Sequence, residues 1–393
     1  MTEIPQVDIS NPTLEEAEQQ LVINHTDQLR AYMGESGWGA ECERQLAYDF
    51  FWATQKRFPA STLMRFEDGH RTEDLVISRL KAVKGLDLRD VSPDGSQWGV
   101  SELNGHVRGH LDGAVLGLKE APKTWHVLEI KCVSDKKFRQ LERLKLKGEK
   151  EALESWSKTY FCQAQGYMGG TGMKRHYLVV ASAGGRQWQS IRTNFQPKVY
   201  KALLAKAKGI IESTDLPPRI SEDPEFFMCK WCNFSDQCHQ GKTSNVNCRT
   251  CAHSTPIMDP SAGVPVDNRK NPMRWKCEFH SKQLSVKDQQ KGCGNHLFKP
   301  DFISWAHPRQ FDKVNNQIEY VSDSGIRFSN TDKADWSNYA FTSKDLRHLD
   351  DQAISKEEKF LKALSIFFPD AEIVDRKKAP PISEPELNDD LPF

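Results

Sequence analysis

Gly109-His110-Leu111-Asp112-Gly113 and, past a short turn, Leu128-Glu129-Ile130-Lys131 are the runs on which the fold turns. Both lie in strand-like stretches, 106–116 and 124–133, and the intervening 117–123, with Pro122, reads as a hairpin turn. Side chains two apart on a strand share a face. Glu129 and Lys131 therefore project together, while Leu128 and Ile130 go to the opposite side. An antiparallel partner strand can set Asp112 beside them. Two carboxylates and the Ile130 carbonyl make an all-oxygen site that suits Mg²⁺ or Mn²⁺. A cation there polarises a phosphate and lowers the pKa of a water, and Lys131 stabilises charge on the attacking water or the transition state. A Glu-x-Lys pair alone is ordinary on a surface strand. A Gly-x-x-Asp-Gly strand, a turn and a hydrophobic strand carrying that pair form a much rarer combination.

Working outward, residues 13–34 pattern as an amphipathic helix with Thr13 as N-cap, broken by Gly34, Gly37 and Gly39. Further helical patterns cover 42–54 and 69–84 ahead of the hairpin, and 135–151 and 155–168 behind it. Strands are predicted at 175–183 and 187–193, and a Lys/Ala-rich helix closes this half near Ile211. Leu216-Pro217-Pro218 marks a linker.

The order helix, strands, helix, strand around these residues resembles the PD-(D/E)XK nucleases, above all the RecB-like and phage recombination exonucleases, over about residues 38–240. The resemblance implies an α/β fold, a mixed sheet flanked by helices, with Asp112, Glu129 and Lys131 as the catalytic set. Gly69-His70-x-x-Glu73 looks like the family's upstream helix motif and makes His70 a further metal ligand, with Glu73 in an outer shell or at a DNA end. Gln163-Ala164-Gln165-Gly166-Tyr167 looks like its QxxxY motif, and the four-residue spacing puts Gln163 and Tyr167 on one helix face. A lone histidine or tyrosine at such places is also an ordinary cap or core residue. Lys136, Lys137 and Arg139 open a basic run that reads either as a solvated helix face or as a phosphate-tracking surface beside the metal. The implied activity is a metal-dependent DNA exonuclease of recombination or repair, of phage or bacterial origin. A structure-specific endonuclease and a non-catalytic DNA-binding scaffold are the alternatives.

The bulk numbers restrict this reading. Lysine plus arginine and aspartate plus glutamate both count 54 among 393 residues, so any DNA contact must come from a local patch. No run approaches the apolar length of a membrane span, and a polar, acidic start does not fit a signal peptide. These features point to a cytoplasmic protein without a membrane partner. Seven of the ten cysteines crowd between Cys229 and Cys293, as expected for thiols that hold metal in a reducing compartment. Cys229, Cys232 and Cys238 lack a fourth ligand. The resemblance, extended to iron–sulfur nucleases of the CRISPR-adaptation type, supplies Cys42 and implies a [4Fe–4S] cluster. Zinc completed by Cys248 or His239, or a free Cys42, stays open. Cys132 and Cys162 read as buried thiols. Cys248, Cys251, Cys277 and Cys293 make a four-cysteine Zn²⁺ site, with His253, His280 or His296 as substitutes.

The expected organisation is a nuclease domain at 1–245, a zinc module at 246–300, a small α+β module at 301–375 and a disordered acidic tail at 376–393. Asp389-Asp390-Leu391-Pro392-Phe393 resembles the tip of bacterial single-stranded-DNA-binding proteins. It implies a replication or recombination partner that reads such tails.

Overall fold

Strand identity is written in what each strand must cover. His126–Val133 carries apolar residues on both faces, and Arg175–Ser182 is almost wholly buried, as the centre of a sheet covered on two sides requires. The computed structural model describes residues 11–25, 29–258 and 275–367. Its first half runs α1 (Pro12–Asn24), β1 (Met33–Gly34), α2 (Glu43–Phe50), α3 (Ala60–Lys81), β2 (Asp87–Arg89), β3 (Gly99–Glu102), β4 (Val107–His110), β5 (Gly113–Leu116) and β6 (His126–Val133). It continues with α4 (Asp135–Lys147), α5 (Glu149–Trp156), α6 (Lys158–Thr171), β7 (Arg175–Ser182), β8 (Trp188–Asn194) and α7 (Pro197–Glu212).

The main sheet has the order β2-β5-β6-β7-β8, with β6 and β7 parallel and the other neighbours antiparallel. On one face Val127, Val133, Leu178, Val180 and Ile191 pack with α6 residues Ala164, Tyr167 and Met168. On the other, Leu128, Ile130, Tyr177 and Val179 pack against Val76 of α3. The result is a mixed α/β fold, a sheet flanked by helices, as expected.

Several local expectations need correction. The stretch 106–116 is not one strand. β4 leaves to pair with β1 and β3 in a second sheet, and the chain bends at Leu111-Asp112 before β5 enters the main sheet. The helix expected at 69–84 begins at Ala60, directly after Pro59, and takes Gly69 into its interior. A side chain at Gly69 would meet nothing, so only the modest backbone cost of an exposed helical glycine applies. Gly148 splits the charged helix 135–151 into α4 and α5. The first helix stops at Asn24 rather than reaching 34.

Beyond α7 come α8 (Phe227–Lys230), α9 (Ser235–His239), the sheet formed by β9 (Ser254–Pro256), β10 (Trp275–Cys277) and β11 (Lys282–Leu284), and α10 (Val286–Lys291). A four-stranded sheet follows, in the order β12 (Ala306–Asp312), β13 (Gln317–Ser322), β14 (Arg327–Thr331) and β15 (Ala340–Thr342). One apolar cluster crosses the boundaries expected at 245 and 300, from Met33 and Phe51 to Trp275, Phe302 and Phe341. Arg249 is the polar bolt in it. Fully buried, it donates to the carbonyls of Phe50 and Ala31 at 2.7 Å each and to Gln289 Oε1 at 3.0 Å. Its guanidinium lies 3.8 Å from the Trp52 ring centre. The tail 376–393, with Asp389 to Phe393, lies outside the described residues.

Candidate active site

The bend at Leu111-Asp112 makes the site. β5 pairs with β6 only as far as Gly113 opposite Leu128, so the edge of β6 is free from Glu129 onward. Asp112, buried at the bend, closes that edge by accepting the Ile130 N–H at 2.7 Å. A strand residue's N–H and carbonyl leave the same edge, so the Ile130 carbonyl opens toward Asp112 as well. Glu129 and Lys131 share the opposite face from Ile130, as their spacing requires, and form an ion pair through Glu129 Oε1. The Lys131 ammonium also lies 5.5 Å from the Tyr160 ring centre.

α6 holds Glu129 from above. Its start is capped by Ser157, and it ends where Gly172 turns left-handed. Gln163 and Tyr167 are both buried, and one amide nitrogen of Gln163 donates to Glu129 Oε1 and to the Tyr167 hydroxyl, each at 2.9 Å. The Gln163 amide and the Lys131 ammonium thus fall on one carboxylate oxygen. The other, Glu129 Oε2, is buried with no hydrogen-bond partner.

The upstream helix contributes Glu73. It stands one turn before Val76, the α3 residue buried on Leu128 and Ile130, and is thereby directed to Asp112. His70 is exposed on the same helix. Burial, and then Asp112, push the Glu73 carboxyl up to about 7. Burial raises Glu129 to about 8 against the pull of Lys131, with Asp112 adding to the rise. Burial also raises Asp112, opposed by Lys131 and the Ile130 N–H. Lys131 suffers the same burial, but Glu129 and Asp112 outweigh it and hold its proton more tightly than usual. Three carboxyls thus face a single ammonium, an excess of negative charge that a divalent cation would relieve. Among the described residues, however, no three His, Cys, Asp or Glu side chains close into a metal-holding group.

Beside Asp112 stands a cationic rim that the sequence did not reveal. His110 is held below its usual range by burial and then by Arg30 and Arg108. Tyr32 lies between them, its ring 5.8 Å from the Arg108 guanidinium carbon and 6.2 Å from the His110 ring. These residues come from separate segments, and only the pairing of β1 with β4 assembles them. Lys136, Lys137 and Arg139 are exposed on α4, where Lys136, Arg139, Arg143 and Lys145 line a hollow of about 1140 Å³.

The four cysteines of the first set converge. Cys42, at the N-cap of α2, shares one pocket with Cys229, Cys232 and Cys238. Burial raises the Cys238 thiol, while Arg219 and Arg44 pull it down toward thiolate. Cys248, Cys251, Cys277 and Cys293 share a second pocket. Burial, and then neighbouring cysteines, raise Cys248 to about 11, and burial takes Cys251 to about 12. His253 bonds Asn316 at 2.7 Å, and His296 is enclosed by Asn247 and Ser343. All three histidines line this pocket, and His280 comes within 3.7 Å of Cys293 Sγ. Cys162 is buried as expected, and Cys132 is half-buried with its thiol toward the Ser182 carbonyl.

No family model and no curated relative matches the chain. Several solved structures are similar to parts of it. The crystal structure of SSO0001 is 16% identical with a TM-score of 0.32, over 57% of this chain and 96% of that one. The alkaline exonuclease LHK-Exo from Laribacter hongkongensis is 14% identical at 0.32, over 50% and 90%. A phage related exonuclease from Haemophilus somnus is 11% identical at 0.31, over 43% and 77%. At such scores none of them fixes the activity of this chain, and the site must be understood from its own residues. Among the described residues no helix is long and apolar enough to cross a membrane.

Proposed function

We propose that the chain is a metal-dependent DNA exonuclease of the PD-(D/E)XK type that hydrolyses phosphodiester bonds in recombination or repair. The observation that carries this reading is the free edge of β6, where Asp112, Glu129, Lys131 and the Ile130 carbonyl meet and Glu129 Oε2 is left buried without a partner. Such an orphaned oxygen is costly unless it meets a cation or a proton. Mg²⁺ or Mn²⁺ held by Asp112, Glu129 and the Ile130 carbonyl would supply a Lewis acid for the scissile phosphate and the attacking water. Glu73 is placed to complete that shell, with His70 further out on the same helix. Lys131 keeps its proton and sets a positive charge where negative charge develops. Gln163 and Tyr167 fix the Glu129 rotamer. Arg30, Arg108 and His110 on one side, and Lys136, Lys137 and Arg139 on the other, provide phosphate contacts that orient the strand.

The test is a digest of end-labelled linear DNA beside closed circular DNA, with Mg²⁺ and with EDTA. An exonuclease degrades only the linear form, and only with metal. Nicking of the circle makes it an endonuclease, and no cleavage with Mg²⁺ or Mn²⁺ leaves a binding scaffold.

The cysteines belong to the same reading. Cys42, Cys229, Cys232 and Cys238 fit a [4Fe–4S] cluster, four thiols in one pocket with two guanidiniums to offset their charge. Cys42→Ser should bleach a brown protein as fully as Cys232→Ser, and a colourless protein holding only zinc would refute the cluster. Cys248, Cys251, Cys277 and Cys293 fit Zn²⁺, so metal analysis should find about one zinc lost when Cys248 and Cys277 are both replaced by Ser. Asp389 to Phe393 would recruit a protein that reads single-stranded-DNA-binding tails, to be checked by pull-down with and without those residues.

A further inference from the structure

Beside Asp112, the junction of the two sheets holds a slot of about 320 Å³. Trp98, Trp125 and Met173 wall it, Ala114 and Thr171 lie along it, and Leu111 and Gly113, the two neighbours of Asp112, both border it. Trp98 and Trp125 are only half-buried, whereas Trp38, Trp52 and Trp275 are sealed in the core. The guanidinium of Arg89 lies 4.9 Å from the Trp125 ring centre, held there by Asp87 at 3.0 Å.

Two measures place this slot next to the catalytic groups. Ala114 lies opposite Val127, on the β6 face that also carries Glu129, and two residues from Asp112, a rise of about 7 Å. Thr171 is one turn beyond Tyr167 on α6, about 5 to 6 Å further along, and its hydroxyl donates to the Tyr167 carbonyl at 2.6 Å. The cationic rim adjoins the slot through a direct pairing. Gly99, at its mouth, is the cross-strand partner of His110, whose ring edge would lie 3.6 Å from a Cβ at that position. An aromatic slot lined by the Arg89 guanidinium, adjoining the rim at His110 and next to the proposed phosphodiesterase site, has the chemistry of one nucleotide, with the base on the indoles and its phosphate on the rim.

We infer that the Trp98–Trp125 slot binds one nucleobase of the substrate strand next to the scissile phosphate. This rests on the nuclease reading for its neighbour, but not for its measurement. Stacking on an aromatic ring accepts every base and is worth about 1–3 kcal/mol, or roughly five- to 150-fold in affinity. It would keep the strand in register between cuts without imposing a sequence.

The experiment is binding of a fluorescein-labelled single-stranded oligonucleotide in EDTA, read by anisotropy, with an abasic residue walked through the strand. The slot predicts one position, counted from the strand end, where losing the base costs about tenfold. Trp125→Leu should cost the intact strand a similar factor and the strand abasic at that position nothing more. Ala114→Phe, which fills the slot from its floor, should behave alike, and the abasic walk on the native protein needs no variant at all. Equal affinity at every abasic position, or losses that multiply between Trp125→Leu and the abasic strand, overturns the slot. Cleavage of linear DNA by the same preparation with Mg²⁺ is scored separately. Cleavage without a base-sensitive position leaves the nuclease and removes the slot. A base-sensitive position without cleavage leaves the slot and removes the nuclease. A strand contact from a second copy of the chain instead would appear as anisotropy that rises with protein beyond one equivalent, which also overturns the assignment.

Discussion

Two glutamates are buried against helix α6, and they are kept on opposite terms. Glu129 meets its face at Gln163, with the Lys131 ammonium on the same carboxylate oxygen. Glu35 meets it at Gly166, fully buried, with both carboxylate oxygens lacking a hydrogen-bond partner. A Cβ at Gly166 would come within 2.3 Å of Glu35 Oε2. Burial, and then Glu102, drive the Glu35 carboxyl far above its ordinary range, and Glu102 itself is occupied by the Tyr200 hydroxyl at 2.6 Å. Burial raises both acids. The lysine opposes that rise at Glu129 and favours its charged form, while Glu35 has no such cation and is a neutral packing group.

Removing the lysine should collapse the distinction. Lys131→Ala leaves Glu129 without its cation, held by Gln163 alone, and cleavage of labelled duplex with Mg²⁺ should fall by roughly three orders of magnitude or more, since electrostatic and metal terms dominate such catalysis. Asp112→Ala and Glu129→Ala should fall as far, with circular dichroism unchanged. Near-native cleavage by Glu129→Ala would end the assignment. Loosening one hydrogen bond is milder. Gln163→Ala keeps the ion pair but frees the carboxylate to turn, so kcat should drop about tenfold with little change in KM, a cost of order 1 kcal/mol for a lost charge-assisted bond.

Crowding the other side tests packing alone. Gly166→Ala drives a methyl into Trp38 and Glu35, which should cost about 1–3 kcal/mol of stability in urea melts. The smallest effect should come from Glu35→Gln, nearly isosteric with the neutral acid. At neutral pH it should leave cleavage unchanged, and below about pH 4, where the native acid is neutral folded or unfolded, it should shift stability by less than about 1 kcal/mol. Its signature is in pH. An acid whose pKa rises on folding binds more protons in the native state, so its stabilisation is full below the unfolded pKa near ~4.3 and declines as pH rises toward the folded value. The native protein should lose stability over that window, and Glu35→Gln should lose less.

The hairpin of Asp112, Glu129 and Lys131 was legible because strand parity needs no tertiary information. Two residues apart is one face, and Glu129 and Lys131 do meet. What parity cannot show is that 106–116 divides between two sheets, since Gly109-His110-Leu111-Asp112-Gly113 reads as one extended run. The expectation set His70 rather than Glu73 at the metal, yet Glu73 is the one that faces Asp112 while His70 is exposed, for a similar reason. The facing side of α3 is set by Val76 against Leu128 and Ile130, not by the glycine that suggested a helix start. Glu35 sits among Gly34, Ser36 and Gly37, a stretch that reads as a polar breaker and gives no sign of burial. The cationic rim depends on Arg30 and Arg108 being joined by a two-residue parallel pairing, below what periodicity can detect.

Arg249 also imposes a schedule. Its bond to the Phe50 carbonyl spans 199 residues. On a ribosome adding about 5–20 residues per second, that partner arrives roughly 10–40 s after Phe50 has emerged. Through that interval the Phe50 and Trp52 rings, the Ala31 carbonyl and the start of the helix bearing Cys42 await their cover. The strands that carry Asp112, Glu129 and Lys131 are already made by then, but the wall behind them is not. Chain released at residue 245 would never receive it, so the half that carries Asp112 and Glu129 acquires its final form only once the cysteine-rich half has been synthesised.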